Sequence, residues 1–255
     1  MQELLRQVLL GDALEFARDF GAFVLAVVVG GAVGTAVVLS GRSGSAADGP
    51  WSGWRPTGDE ATRTLQIAEH VSRRYRLEKG RQKLVNVVPG PPTTNAVVSA
   101  IAVQALGAGL GSASSVFDAS RSRMYLLCGN GPNCSIGNGP ASLQRGRLLR
   151  GEALELALYT FKYVDGVDSV ATFLPGRPGT RPTFALFFLR GSLEPLLDRP
   201  LRTTLPQAQE LVPSAAPRRM ALVDRLTVPH LFRFQVRQSQ DGNAVVVLNP
   251  LALGN

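Results

Sequence analysis

The chain has 255 residues, 45% of them hydrophobic, which excludes a disordered or purely solvating protein and suffices for one domain of ordinary size with extra segments. Lys and Arg number 27 against 19 Asp and Glu, a net charge of +8, and every cation except Lys79, Lys83 and Lys162 is an arginine. With two His, two Cys and 7% aromatic residues, little is left for metal cages, haem ligation or base stacking, so no metal and no cofactor is expected.

Residues 1–19 place Leu5, Val8, Leu9 and Phe16 on one side with charges between them, the pattern of an amphipathic segment at a membrane interface. Residues 20–41 carry no charge, and at ~1.5 Å per residue they are long enough to cross a hydrocarbon core of ~30 Å. The run is longer than the about 7 to 15 residues of a signal-peptide core, so it reads as an uncleaved transmembrane helix. Within it Gly30 and Gly34 form a GxxxG step that Ala26 extends by one turn, a small-residue face on which a second helix can pack closely.

Orientation is not set by charge, because Arg6 and Arg18 before the span balance Arg42 and Arg55 after it. Long domains translocate largely regardless of charge, and the only two cysteines look paired, so the C-terminal domain is expected on the extracytoplasmic side. Residues 42–58 are rich in Gly, Ser and Pro and read as a linker. Its Trp51 and Trp54 suit either the bilayer interface or a seat on the domain, since Trp favours sites with one apolar and one wet side.

Residues 59–255 form the expected globular domain. Asp59 or Thr57 caps a helix predicted to run to Lys79, with Ala61, Leu65, Ala68, Val71 and Tyr75 along one face and Gly80 as its stop. A strand over 84–88 ends at the turn Pro89, Gly90, Pro91, Pro92. The segment 96–114 is apolar enough to weigh as a second span, but prolines interrupt its approach, Gln104 sits near its centre and glycine dominates its end. A buried strand followed by a loop is preferred.

Residues 123–128 read as a strand and 143–164 as the strongest soluble helix, with Leu149, Ala153, Leu156, Thr160 and Val164 on one face. Glu152 and Glu155 are then expected on its wet face. Two apolar runs, 167–174 and 183–189, are predicted central strands, while the five prolines of 192–218 allow only short helical turns there. A hairpin pairs 231–238 with 244–248, turning Phe232, Phe234 and Val236 one way and Arg233, Gln235 and Arg237 the other. The order of elements gives an α+β class: one N-terminal transmembrane helix, then a mixed, largely antiparallel sheet packed with two main helices.

Of the candidate sites, Cys128 and Cys134 flank a loop of Gly, Asn and Pro that a disulfide closes without strain, whereas zinc needs two more ligands and redox motifs use two intervening residues. Asn133, Cys134 and Ser135 match a glycosylation acceptor whose use a bonded cysteine disfavours. Arg73, Arg74, Arg76, Lys79, Arg81 and Lys83 place six cations within eleven residues, either a solvated helix end or a contact for phosphates or a partner. Gly107 to Ser112 lacks the third glycine and the GK[ST] of phosphate loops, and His70 and His230 stand alone in their segments.

The expected function is therefore a single-pass, membrane-anchored extracytoplasmic interaction or assembly subunit of a cell-envelope complex, non-enzymatic, in the cytoplasmic membrane. Its partners would be the membrane and other envelope proteins, or a second copy through the transmembrane helix. Two alternatives stand beside it: a membrane-tethered hydrolase whose site forms only in the fold, and a cytoplasmic-facing domain holding anionic lipid or nucleic acid through its basic run. Nucleic acid is the less expected partner, because no recognition motif accompanies the charge.

Overall fold

A computed structural model describes residues 50–76, 83–92, 96–105, 114–137, 142–205 and 216–251. The amphipathic segment 1–19, the span 20–41 with Ala26, Gly30 and Gly34, the glycine run 107–112, and Lys79 and Arg81 lie outside the described residues. Asp48–Asn255 make up one compact unit.

Its elements run α1 (Glu60–Arg74), β1 (Asn86–Pro89), β2 (Val98–Gln104), β3 (Ser114–Asp118), β4 (Ser122–Cys128), α2 (Leu143–Tyr163), β5 (Ser169–Leu174), β6 (Phe184–Leu189), α3 (Arg190–Leu197), α4 (Leu201–Thr204), α5 (Ala216–Thr227), β7 (Leu231–Gln238) and β8 (Ala244–Pro250). The strands form one mixed sheet of eight in the order β1-β4-β5-β6-β7-β8-β2-β3. Only β4 with β5 and β2 with β8 are parallel pairs. The domain is thus α+β, and residues 98–104 of the candidate second span are a strand hydrogen-bonded between β8 and β3.

Both faces of the central strands are buried, because β5 and β6 send alternate residues to two separate cores. Val170, Leu186 and Phe188, with Tyr125 and Leu127 of β4, pack under α1, α2, α3 and α5. On the opposite face Ala171, Phe173, Ala185 and Phe187 meet Ile101, Met124, Val246 and Leu248. In a flat sheet β3 and β6 would lie four strand spacings apart, ~19 Å at ~4.8 Å each. Phe117 of β3 and Phe187 of β6 instead have ring centroids 5.1 Å apart. The sheet therefore curls until its concave face encloses this second core.

The helices depart from expectation in four places. Asp59 caps α1 by accepting the Thr62 N–H at 2.8 Å, but the helix ends at Arg74, five residues early, because Tyr75 is extended and its carbonyl accepts the Leu84 N–H at 3.0 Å. Arg76 and Lys83 then bridge in antiparallel fashion, closing a hairpin where a last helical turn was expected. The buried face of α1 is Thr64, Ile67, Ala68 and Val71, which leaves Ala61 and Leu65 exposed, Leu65 by 59%. The proline-rich segment holds the short α3 and α4 as foreseen, and at its end begins the twelve-residue α5, with Pro217 in the first turn where its missing N–H costs nothing.

The fourth departure concerns α2. The expected stripe of Leu149, Ala153, Leu156 and Thr160 is buried, but so is every residue from Gly151 to Phe161, since the sheet lies on one side and α1, α3 and α5 close the others. Glu152 and Glu155 are consequently inside the domain, not on a wet face.

The concave core rests on aromatic packing, with Phe173 of β5 set edge-on to Phe234 of β7 at 4.8 Å. Phe173→Ala is expected to lower stability by about 3–5 kcal/mol, the usual cost of emptying a buried phenylalanine site, as read from urea denaturation.

Candidate functional site

Two places in the domain gather features that chemistry could use. The first is the polar interior around α2. Glu155 is 1% exposed, accepts a hydrogen bond from the Tyr75 hydroxyl at 2.9 Å, and pairs with the Arg74 guanidinium at 2.7 Å. Arg219 of α5 donates to the same tyrosine oxygen at 3.3 Å. Arg74 also reaches the Tyr159 hydroxyl at 3.3 Å, which in turn meets Ser52 at 2.8 Å and the His70 ring at 3.3 Å. One connected network thus ties α1, α2, α5 and the segment before α1.

Glu152 stands beside this network without joining it. It is 0% exposed, and neither carboxyl oxygen has a hydrogen-bond partner. Burial and the neighbouring Glu155 push its carboxyl far above the ordinary range, with Lys83 only partly offsetting them, so the group holds its proton. Burial raises Glu155 as well, against the pull of Arg74 and the Tyr75 hydrogen bond. Burial lowers His70 to about 4, with Arg74 and Arg73 adding to the shift. His70 is half-buried and stacked on Trp54 at 3.9 Å.

The tryptophans answer the question of the linker. Trp51 meets Tyr159 and Tyr163 edge-on, Trp54 lies on His70, and the Trp51 carbonyl accepts the Leu201 N–H at 2.7 Å. Residues 50–58, assigned to a linker, therefore belong to the domain surface from Trp51 onward. Both rings sit against the domain.

The second place is an apolar groove at the N-terminal end of α1. A depression of about 520 Å³ is lined by Ala61, Leu65, Pro89, Pro91, Val98 and Met124, among others. A smaller one of about 300 Å³ continues between α1 and β1 and shares Leu65 and Pro89 with it. Val97, 76% exposed, stands at the larger one's edge, and Glu60 and Arg123 on its wall form an ion pair.

The remaining expected residues are placed as follows. Cys128 and Cys134 form the disulfide. Their loop turns through left-handed backbone at Asn133 and Cys134, and Gly129 is required because a Cβ there would meet the Ser135 carbonyl oxygen at 2.1 Å. Of the described members of the basic run, Arg73 pairs with Glu69, Arg74 turns inward to Glu155, the Arg76 side chain returns to the Arg73 carbonyl, and Lys83 lines the smaller depression. His230 packs beside Phe188, far along the chain from His70. Among the described residues no group of three His, Cys, Asp or Glu is placed to hold a metal ion, and no helix is long and apolar enough to cross a membrane.

Sequence reasoning missed the groove, and the signal for it was Leu65. Its place in the α1 stripe made it look like core, whereas Thr64 and Ile67 in fact carry that face. Comparison with protein-family models, curated proteins and solved structures finds no match to this chain.

Glu152 gives the domain a pH signature. Its carboxyl is raised in the folded state, so nothing is lost below the unfolded value of about 4.5, and stability falls as pH climbs above it, by up to about 1.4 kcal/mol per pH unit. Glu152→Gln is expected to match the wild type in melting temperature near pH 4 and exceed it by several degrees at pH 7.5. A gap of equal size at both values would show that the carboxyl is not neutral in the fold.

Proposed function

We propose that the protein is a membrane-anchored extracytoplasmic interaction subunit that holds a partner protein of a cell-envelope assembly. The observation that carries this reading is the contrast between the two places described above. Among the groups with shifted protonation, Glu152, Glu155 and Tyr75 are closed inside the helical core, and the half-buried His70 is stacked on Trp54 with its pKa lowered to about 4. Among the described residues an exposed depression is largely apolar, with Leu65 and Val97 held open to solvent. Catalysis needs titratable groups within reach of a reacting atom, and binding needs accessible apolar surface.

Compartment and anchoring rest on the sequence and the disulfide. The uncharged run 20–41 supports the anchor, with Ala26, Gly30 and Gly34 as the face for a partner helix. The Cys128–Cys134 bond supports an oxidising compartment, since thiols stay reduced in the cytosol of most cells. The hydrolase alternative gains nothing from buried carboxylates. The lipid or nucleic-acid alternative is weakened by the dispersal of Arg73, Arg74 and Arg76 into local contacts.

Intact cells treated with a membrane-impermeant maleimide test this reading. Labelling of Cys128 and Cys134 only after an impermeant reductant is the expected result. Labelling that requires lysis would put the domain in the cytoplasm and overturn the proposal.

A further inference from the structure

The groove ends at a free strand edge, and that edge states what kind of partner fits. Among the described residues β1 pairs with β4 alone, in the register Asn86 with Cys128 through Pro89 with Tyr125. The Gly90 N–H continues this register by bonding the Met124 carbonyl at 2.8 Å. Antiparallel ladders alternate bonded and non-bonded pairs, so Val88 and Asn86 turn their main-chain groups towards β4. Val87 and Pro89 turn theirs outward, offering one N–H and two carbonyls along the edge that faces the smaller depression. The next outward carbonyl, of Val85, is taken by the Ser72 hydroxyl at 3.0 Å, which closes the groove at that end.

We propose that this groove binds an extended, uncharged apolar peptide segment of the partner, which adds to the outer edge of β1 as a further strand and seats a side chain among Leu65, Pro89, Val98 and Met124. The inference rests on the interaction reading above and names what that interaction recognises.

Three observations point to a peptide. From Glu60 to Ser72 the helix wall runs about 18 Å at ~1.5 Å per residue, a length that five or six residues span at ~3.3 Å each. The two depressions meet over Leu65 and Pro89, so a single extended segment can occupy both. On the walls Glu60 is matched by Arg123 and Glu69 by Arg73, so an apolar side chain in the larger depression leaves no bare ion beneath it, while the smaller depression is lined by Thr62, Gln66, Asn86 and Lys83, polar groups that the main chain of an uncharged segment can meet. Pro89 has no N–H, which confines main-chain pairing to the Val87 end and leaves Pro89 and Pro91 as apolar rim. Helix and strand edge would then share the segment, main chain giving affinity and the larger depression giving choice of side chain.

The test uses the full chain in lipid nanodiscs and a phage-displayed library of random dodecapeptides, followed by synthetic copies of the selected sequences. The selected peptides are expected to alternate apolar residues with small or polar ones. Leu65→Asp and Val97→Asp should each weaken binding about tenfold or more, while Val116→Asp on the exposed outer side of β3 leaves it unchanged. N-methylation of alternate peptide amides should abolish binding, because it removes the strand's hydrogen bonds without removing its side chains. Recovery of no peptide, equal binding by the N-methylated copies, or insensitivity to Leu65→Asp and Val97→Asp would each overturn the proposal. Saturable binding of 1-anilinonaphthalene-8-sulfonate at Leu65 without any peptide would overturn it in favour of a small apolar ligand. Such failures, with the maleimide result as expected, remove the groove and leave the anchored, extracytoplasmic placement standing.

Discussion

The burial of α2 is the constraint on which the rest of the domain depends. A helix closed on every side from Gly151 to Phe161 must either be apolar throughout or bring partners for its polar groups. This one carries two carboxylates three residues apart. The solution has two parts: Glu152 stays protonated, and Glu155 receives Arg74 and Tyr75 from the end of α1. That demand explains why α1 stops where it does. With Arg74 turned inward and Tyr75 extended beside Glu155, the chain leaves the helix and closes a hairpin, which brings Val85 and β1 alongside α1.

The groove follows from this arrangement. Ile67, Ala68 and Val71 fix the buried face of α1 against α2, and the helix rotates accordingly, presenting Leu65 to solvent opposite Pro89. On the other side of the sheet, curling brings β2 and the turn after β3 towards β4, so that Val98, Ala119 and Met124 complete the larger depression. The helix α1 and the curled sheet therefore both line the larger depression, through Ala61 and Leu65 on one side and Val98, Ala119 and Met124 on the other.

Much of the architecture was legible in the residues. Alternation within 231–238 and 244–248 marked the β7–β8 hairpin, and the apolar runs 167–174 and 183–189 marked β5 and β6 as central strands. Cys128 and Cys134 were readable as a disulfide because their spacing suits little else. The candidate site was not legible, for a physical reason. Period and polarity tell which side of a helix is wet only when one side is, and α2 has no wet side along most of its length. Glu152 and Glu155 thus looked like solvent-facing residues, and Leu65 like core, because both judgements need the tertiary neighbours that periodicity leaves out. The strand β3 was hidden in the same way, as a short segment whose one inward residue, Phe117, finds its partner Phe187 only after the sheet has curled.

A double-mutant cycle on Arg74 and Glu155 tests this account most directly. Arg74→Met keeps the length of the side chain and removes its charge, leaving Glu155 buried and uncompensated, and a loss of about 3 kcal/mol is expected. Adding Glu155→Gln in the same chain should recover most of that loss, because the group that needed the cation is gone. Strictly additive losses in the double variant would contradict the account, showing that Arg74 supports α1 by packing alone and that the carboxylates of α2 do not organise the fold.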